Sequence, residues 1–283
     1  MNQFKAWLFM ALLTVLLVLL GNAIAGQGGM IVFFLIALAM NFFGYWFSDR
    51  VAIMMTGSRP VTEAEAPQLY ASVRKLTRAA GLPMPKIYIT PSDQPNAFAT
   101  GRNPSHAAVA VTEGILRILS REELEGVLAH ELAHVKNRDI LISSMAAVVA
   151  GAITMLANVA QWGLLFGGSR DDEDESPLAM VGTLLMIILA PIAAMLIQLA
   201  ISRSREYGAD ATGARIVGSP HGLANALLKL ERGAGAIPMD VSPSAAHMFI
   251  VNPLSAEGFA RLFSTHPPIQ DRVERLRGMR INA

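Results

Sequence analysis

The chain has 283 residues, of which 53% are apolar and 16% charged, with a net charge of +1 and a mean hydropathy of +0.42. Soluble domains carry about 25% charged residues, so this composition points to a membrane protein, and its near-neutral balance gives no nucleic-acid footprint. Cysteine is absent, which excludes disulfides and thiolate ligands and leaves His, Asp and Glu for any metal.

No Asp, Glu, Lys or Arg occurs from Ala6 through Ser48. The turn-like run Gly21–Gly29 divides this stretch into two halves, each near the ~20 residues needed to cross a bilayer. The expectation is a transmembrane hairpin over 1–50, with Tyr45, Trp46 and Phe47 as an interfacial belt or as core packing. A cleaved signal peptide is the rival reading, since Lys5, an apolar core and Ala23-Ile24-Ala25 fit that pattern too. From Asp49 to Asp139 the composition turns globular. A helix is expected over Val61–Ala80, opened by Thr62 and stopped by Gly81. Lys86–Thr90, Ala97–Thr100 and Ala107–Thr112 read as three short strands.

Ser120-Arg-Glu-Glu123 fits a capping box, and the helix it opens carries His130-Glu131-Leu-Ala-His134. Histidines four apart on a helix share one face, and both ring nitrogens can then reach one zinc ion. Glu131 is placed to take a proton from a metal-bound water. A buried helix that happens to carry these residues is the bland reading, weakened because the chain has six histidines in all.

A second uncharged pair follows, Ile140–Ser169 and Ser176–Ser202. It reads as another transmembrane hairpin over 140–202, or as a buried helical hairpin of a soluble lobe. The loop between holds one Arg against five acids, which favours the outer side, whereas the segments after Phe47 and Ile201 are rich in Lys and Arg. Catalytic zinc needs a third protein ligand. Glu206 is the candidate because it follows the fourth apolar run as closely as His134 precedes the third; a helix-end acid paired with Arg203 or Arg205 is the alternative. Asp210, one turn on, can hold the other ring nitrogen of a ligand histidine or be an ordinary surface acid. Pro267–Met279 reads as a last helix with a basic outer face of Arg272, Arg275 and Arg277.

Asn96-Ala-Phe-Ala-Thr-Gly101, the His130–His134 motif with Asn137-Arg-Asp139, Ser202–Asp210 and Ser264-Thr-His-Pro-Pro268 together resemble the HtpX-type membrane zinc metalloproteases, relatives of the CAAX prenyl protease, along nearly the whole chain. The resemblance implies one zinc ion per chain on His130, His134 and Glu206, with Glu131 as general base and Asp210 orienting His130. It implies an edge strand at Asn96, Ala97, Phe98, Ala99 and Gly101 that pairs with extended substrate, and a role for His266 near the metal as oxyanion stabiliser or regulator. His106, His221 and His247 are left as structural.

The expected fold is an α-helical integral membrane protein of about four transmembrane helices, with an α+β, gluzincin-like zinc protease domain containing a small sheet and divided between 51–139 and 203–283. The expected function is endopeptidase cleavage of misfolded or damaged membrane proteins, with the catalytic domain and both termini cytoplasmic at a bacterial inner membrane. Partners are then substrate membrane proteins and the bilayer, with no nucleic acid. Processing of prenylated peptides, a non-catalytic zinc scaffold and a metal transporter are the other readings. The transporter fits least, because no His, Asp or Glu lies within the four apolar runs.

Overall fold

The structure is a computed structural model that describes residues 2–146, 203–237, 239, 241, 243–246, 248–252 and 267–281. The expected second hairpin (all but 140–146 of it) and His266 lie outside the described residues, as does His247.

Helix α1 (Asn2–Trp46) is two arms joined at Ala25 (φ −140°, ψ 26°) and Gly26 (φ 57°, ψ −144°). Gly26 is where the chain reverses, because positive φ costs a residue without a Cβ little. Near the bend Gly21 and Gly29 meet backbone to backbone: a Cβ on Gly21 would stand 2.4 Å from the Gly29 carbonyl oxygen. At the open end Trp7 stacks on Tyr45, and Asn41 donates from Nδ2 to the Met10 carbonyl (3.2 Å) and the Thr14 hydroxyl (2.9 Å). The outward side chains are apolar and exposed, among them Leu8, Val15, Leu19, Val32, Leu35 and Phe42. The arm Ala25–Trp46 is long and apolar enough to cross a membrane.

Helix α2 (Ser48–Met55) leads to a four-stranded mixed sheet of β1 (Arg59–Pro60), β2 (Lys86–Thr90), β3 (Ala97–Gly101) and β4 (Ala107–Thr112), ordered β1-β2-β4-β3. β2 and β4 run parallel and the outer pairs antiparallel. Three strands are as expected; β1 is two residues long with a proline, too short to show a period. The alternation of side chains sorts the sheet's faces. Ile87, Ile89, Ala97, Ala99, Val109 and Val111 face the main helical core. Phe98, Ala108 and Ala110 face Ala52 and Ile53 of α2 and the Met239–Phe249 stretch.

The helix expected over Val61–Ala80 is interrupted. Thr62 and Glu65 close a turn of their own, the Thr62 N–H donating to the Glu65 carboxylate at 2.6 Å, and α3 (Pro67–Ala80) starts afresh. Pro67 lacks the N–H that continuation needs but suits a first turn. Leu69, Val73, Leu76 and Ala80 then bury one face, and Gly81 (φ 68°) ends the helix. After α4 (Glu113–Ile118), α5 (Arg121–Asn137) opens with a capping box: Glu123 N–H donates to the Ser120 hydroxyl and Ser120 N–H to the Glu123 carboxylate. α6 (Arg203–Val217) and α7 (His221–Ala236) pack on α5, and α8 (Ile269–Arg277) packs on both. Leu223, Ala226, Leu227 and Leu230 of α7 are buried, as their spacing predicts.

Candidate metal centre

The centre is held by close approach of helices to α5. A Cβ on Gly213 of α6 would lie 2.9 Å from the His130 nitrogen, and one on Gly126 of α5 would lie 2.5 Å from the Leu223 nitrogen of α7. These glycines let α6 and α7 lie directly on the histidine helix. His130 and Glu131 are buried at 1% and 3% exposure in a helix whose neighbouring residues Val127–Ala133 are all buried.

His130, His134 and Glu206 are brought together, each with a ligand atom within 4.8 Å of the others. His130 Nε2 and His134 Nε2 are 3.2 Å apart. The Glu206 carboxylate lies 3.4 Å from His134 Nε2 through Oε1 and 3.7 Å from His130 Nε2 through Oε2. The far nitrogen of each ring is also occupied. His130 Nδ1 is 2.9 Å from Asp210 Oδ1, and His134 Nδ1 is 3.3 Å from Asp139 Oδ2. A hydrogen on each Nδ1 facing its carboxylate leaves both Nε2 lone pairs aimed at one point beside the Glu206 carboxylate. Three lone-pair donors converging in a buried space are the donor set of a cation site. Burial alone would lower the His134 pKa, but Glu206 and Asp139 outweigh it and raise it to about 10. A metal ion takes the place of that proton.

Asp139 reaches His134 because α5 ends in a left-handed cap. Arg138 (φ 59°, ψ 36°) has positive φ, alone among the described non-glycine residues. The turn sends the Asp139 N–H back to the His134 carbonyl at 2.9 Å. Strain of this kind persists where the surroundings fix it.

Asp210 is buried at 3% exposure and shared. Arg272 donates to it twice, from Nε at 2.9 Å and Nη2 at 2.7 Å. Burial pushes the Asp210 carboxyl up; Arg272 and the His130 ring outweigh that and bring it down to about 2. The basic outer face expected for the last helix is therefore corrected at Arg272, which is fully buried while Arg275 and Arg277 are exposed. Arg272 stands on the same face as Ile269, Val273 and Leu276, the spacing of a core position. Its Nη2 is 3.4–3.5 Å from both nitrogens of His130, a near-equal approach that places the guanidinium over the ring. Arg272 and Asp139 are the residues sequence reasoning passed over, and the helix-face arithmetic was the available signal for Arg272.

Glu131 is buried; burial raises its pKa, and the neighbouring histidines and the Ala99 backbone only partly offset that. β3 is the edge strand, as expected, but its outer side is not bare. The Ala97 carbonyl accepts from the Ile250 N–H at 3.0 Å, and the buried Asn96 side chain bonds both backbone groups of Val251, at 2.7 and 3.3 Å. The Gly101 N–H donates to the Ser144 hydroxyl at 3.3 Å, and that hydroxyl also bonds Thr100 at 2.7 Å. Phe98 points away from the centre and packs edge-on against Phe249. His106 is exposed beside Asn103, and His221 is exposed at the start of α7.

Residues 63–280 match the model of peptidase family M48. The chain is 64% identical to a protease HtpX homolog of Pelotomaculum thermopropionicum over 281 residues, covering 99% of this chain and all of that one. It is 58% identical to a protease HtpX homolog of Pyrococcus furiosus, covering 96% and 94%. A crystal structure of S. mikatae Ste24p is a looser likeness, at TM-score 0.46 and 20% identity over 96% of this chain and 67% of that one. The match over most of the chain makes this protein a member of peptidase family M48, a metalloendopeptidase.

Proposed function

We propose that the chain is a zinc-dependent, membrane-bound endopeptidase that cuts misfolded or damaged membrane proteins at the cytoplasmic face. The observation that carries the reading is the convergence of His130, His134 and Glu206 beside the buried Glu131. Zinc with bonds of about 2.0–2.1 Å to tetrahedral ligands spaces them roughly 3.4 Å apart. The separations of 3.2, 3.4 and 3.7 Å fit that spacing without rearrangement. A set of two imidazoles and one carboxylate suits zinc over the harder cations.

Bound zinc supplies a Lewis acid for the scissile carbonyl and acidifies a water. Glu131 takes the proton of that water and delivers it to the leaving amine. Its raised pKa suits a group that must accept a proton and hold it briefly. Asp210 and Asp139 hold His130 and His134 in the tautomer and orientation that present Nε2. Arg272 keeps Asp210 ionised. The substrate lies extended along β3 between Asn96 and Gly101, pairing with the outward backbone groups of Ala97 and Ala99 on either side of Phe98. To use the Ala97 carbonyl it takes the place of Ile250.

The two hairpins, 1–50 and 140–202, are read as four spans, with 51–139 and 203–283 forming the catalytic domain on the cytoplasmic side together with both termini. The zinc helix then stands at the inner surface, six residues before an uncharged run begins, which suits substrates presented at the bilayer. Glu131→Gln in the full-length protein should retain zinc and lose cleavage of a membrane-protein substrate by about a hundredfold or more. Unchanged cleavage by that variant would overturn the mechanism.

A further inference from the structure

The open end of the α1 hairpin meets the catalytic domain in a patch that the peptidase chemistry does not use. Trp46 is 47% exposed there, with Phe42 and Phe43 also exposed one turn earlier and Trp7 on the neighbouring arm. Arg102, the residue that follows edge strand β3, reaches this patch. Its guanidinium lies 4.9 Å from the Trp46 ring centre, and Nη1 donates to the Trp46 carbonyl at 3.2 Å. Arg50 of α2 lies 5.6 Å from the Phe47 ring. Strand pairing puts Lys86 at the same end of the sheet, because Lys86 pairs with Ala108 and Gly101 with Ala107. Two strand spacings place it roughly 10 Å from β3.

Residues 84–88 and 100–108 contain no acid, and Asp49 is the one acid between Trp46 and Arg59. Arg50, Lys86 and Arg102 have no carboxylate in ion-pair range among the described residues, whereas Arg59, Arg74, Lys75, Arg117 and Arg121 each have one. A cation held over an indole, with most of its donors unspent, presents a fork that fits a phosphodiester in two bonds. Indole rings at the end of an apolar helix sit at headgroup depth. Both features ask for the same occupant.

We propose that Arg102 at Trp46 and Arg50 at Phe47, with Lys86 at the same end of the sheet, form a headgroup site for an anionic phospholipid. The proposal rests on the reading that the α1 hairpin lies in the bilayer. The site fixes the depth of the catalytic domain, and because Arg102 continues β3, a bound headgroup also anchors the end of the strand on which substrate is read. A juxtamembrane cation contributes about a fivefold preference for anionic over neutral lipid.

The test uses the full-length protein in phosphatidylcholine vesicles with spin-labelled lipid. Flotation with the vesicles tests the hairpin reading by itself, since insertion of an apolar hairpin does not depend on these charges. The restricted fraction of spin-labelled phosphatidylglycerol against spin-labelled phosphatidylcholine then reads the site. The wild type should prefer phosphatidylglycerol by about fivefold or more. Combined R50Q, K86Q and R102Q should bring this below twofold, and R50K with R102K, which keep the charge but lose the fork, should fall between the two. Millimolar inorganic phosphate should leave the preference unchanged. Floating protein with no preference, a preference untouched in the triple glutamine variant, or one abolished by free phosphate overturns the proposal. Protein that does not float overturns the hairpin reading and the proposal together.

Discussion

Arg272 shows how far one side chain reaches in this molecule. It is the largest fully buried side chain described, and its charge is met by two bonds to Asp210 and by the Glu206 carboxylate at 3.8 Å. Asp210 in turn faces His130, so the cation at the end of the chain holds a histidine of the centre through one carboxylate. Removing one partner of a buried pair leaves an uncompensated charge and costs about 3–5 kcal/mol. Arg272→Ala should therefore lower the thermal unfolding temperature in detergent, and the further change Asp210→Asn should recover part of the loss. An unaltered unfolding temperature in Arg272→Ala would contradict this role. The residue was hard to read in the sequence because a cation flanked by Arg275 and Arg277 looks like surface; only its place on the face of Ile269, Val273 and Leu276 says otherwise. Asp139 was hard for a different reason. Its return to His134 depends on the left-handed backbone of Arg138, and the residue that takes this conformation is an arginine, not the glycine or asparagine that favours it.

Among the elements, the start and middle of α5 were the most legible, since its capping box and its histidine spacing lie within one stretch of chain. Its start also carries a measurable pH dependence. Glu123 bonds the Ser120 N–H and receives Lys229 of α7 at 2.7 Å. Burial alone would raise its pKa, but Lys229 and Ser120 outweigh that and the net shift is downward. A carboxyl lowered in the folded state contributes stability that is fully present above its unfolded value, about 4.3, and is lost as the pH falls through the lower folded value. Thermal unfolding of Glu123→Gln should thus fall less between pH 6 and pH 3 than that of the wild type, and at pH 6 the variant should be about 1 kcal/mol less stable. Parallel pH curves would remove Glu123 from the account. The outer side of β3 was not legible at all. Asn96 and Val251 are 155 residues apart, and local patterns carry no trace of such a pairing.

At the scale of the whole molecule, the residues of the candidate centre come from two parts of the chain separated by two uncharged runs, Ile140–Ser169 and Ser176–Ser202. Those runs are what made Glu206 readable, since the expectation of an antiparallel apolar pair returns the chain to the face it left. The structure brings Glu206 and Asp210 to the histidines and adds a link from residue 144 to the sheet, the Ser144 hydroxyl on Thr100 and Gly101. β3 is thus tied at one end to Ser144 and to Trp46 of the α1 hairpin, the latter through Arg102. The most direct measurement is zinc content per chain in the purified full-length protein and in Glu206→Ala. One zinc per chain in the wild type, with affinity lowered by about a hundredfold or more in the variant, is the result this account predicts. Full zinc retention with full peptidase activity in Glu206→Ala would contradict it.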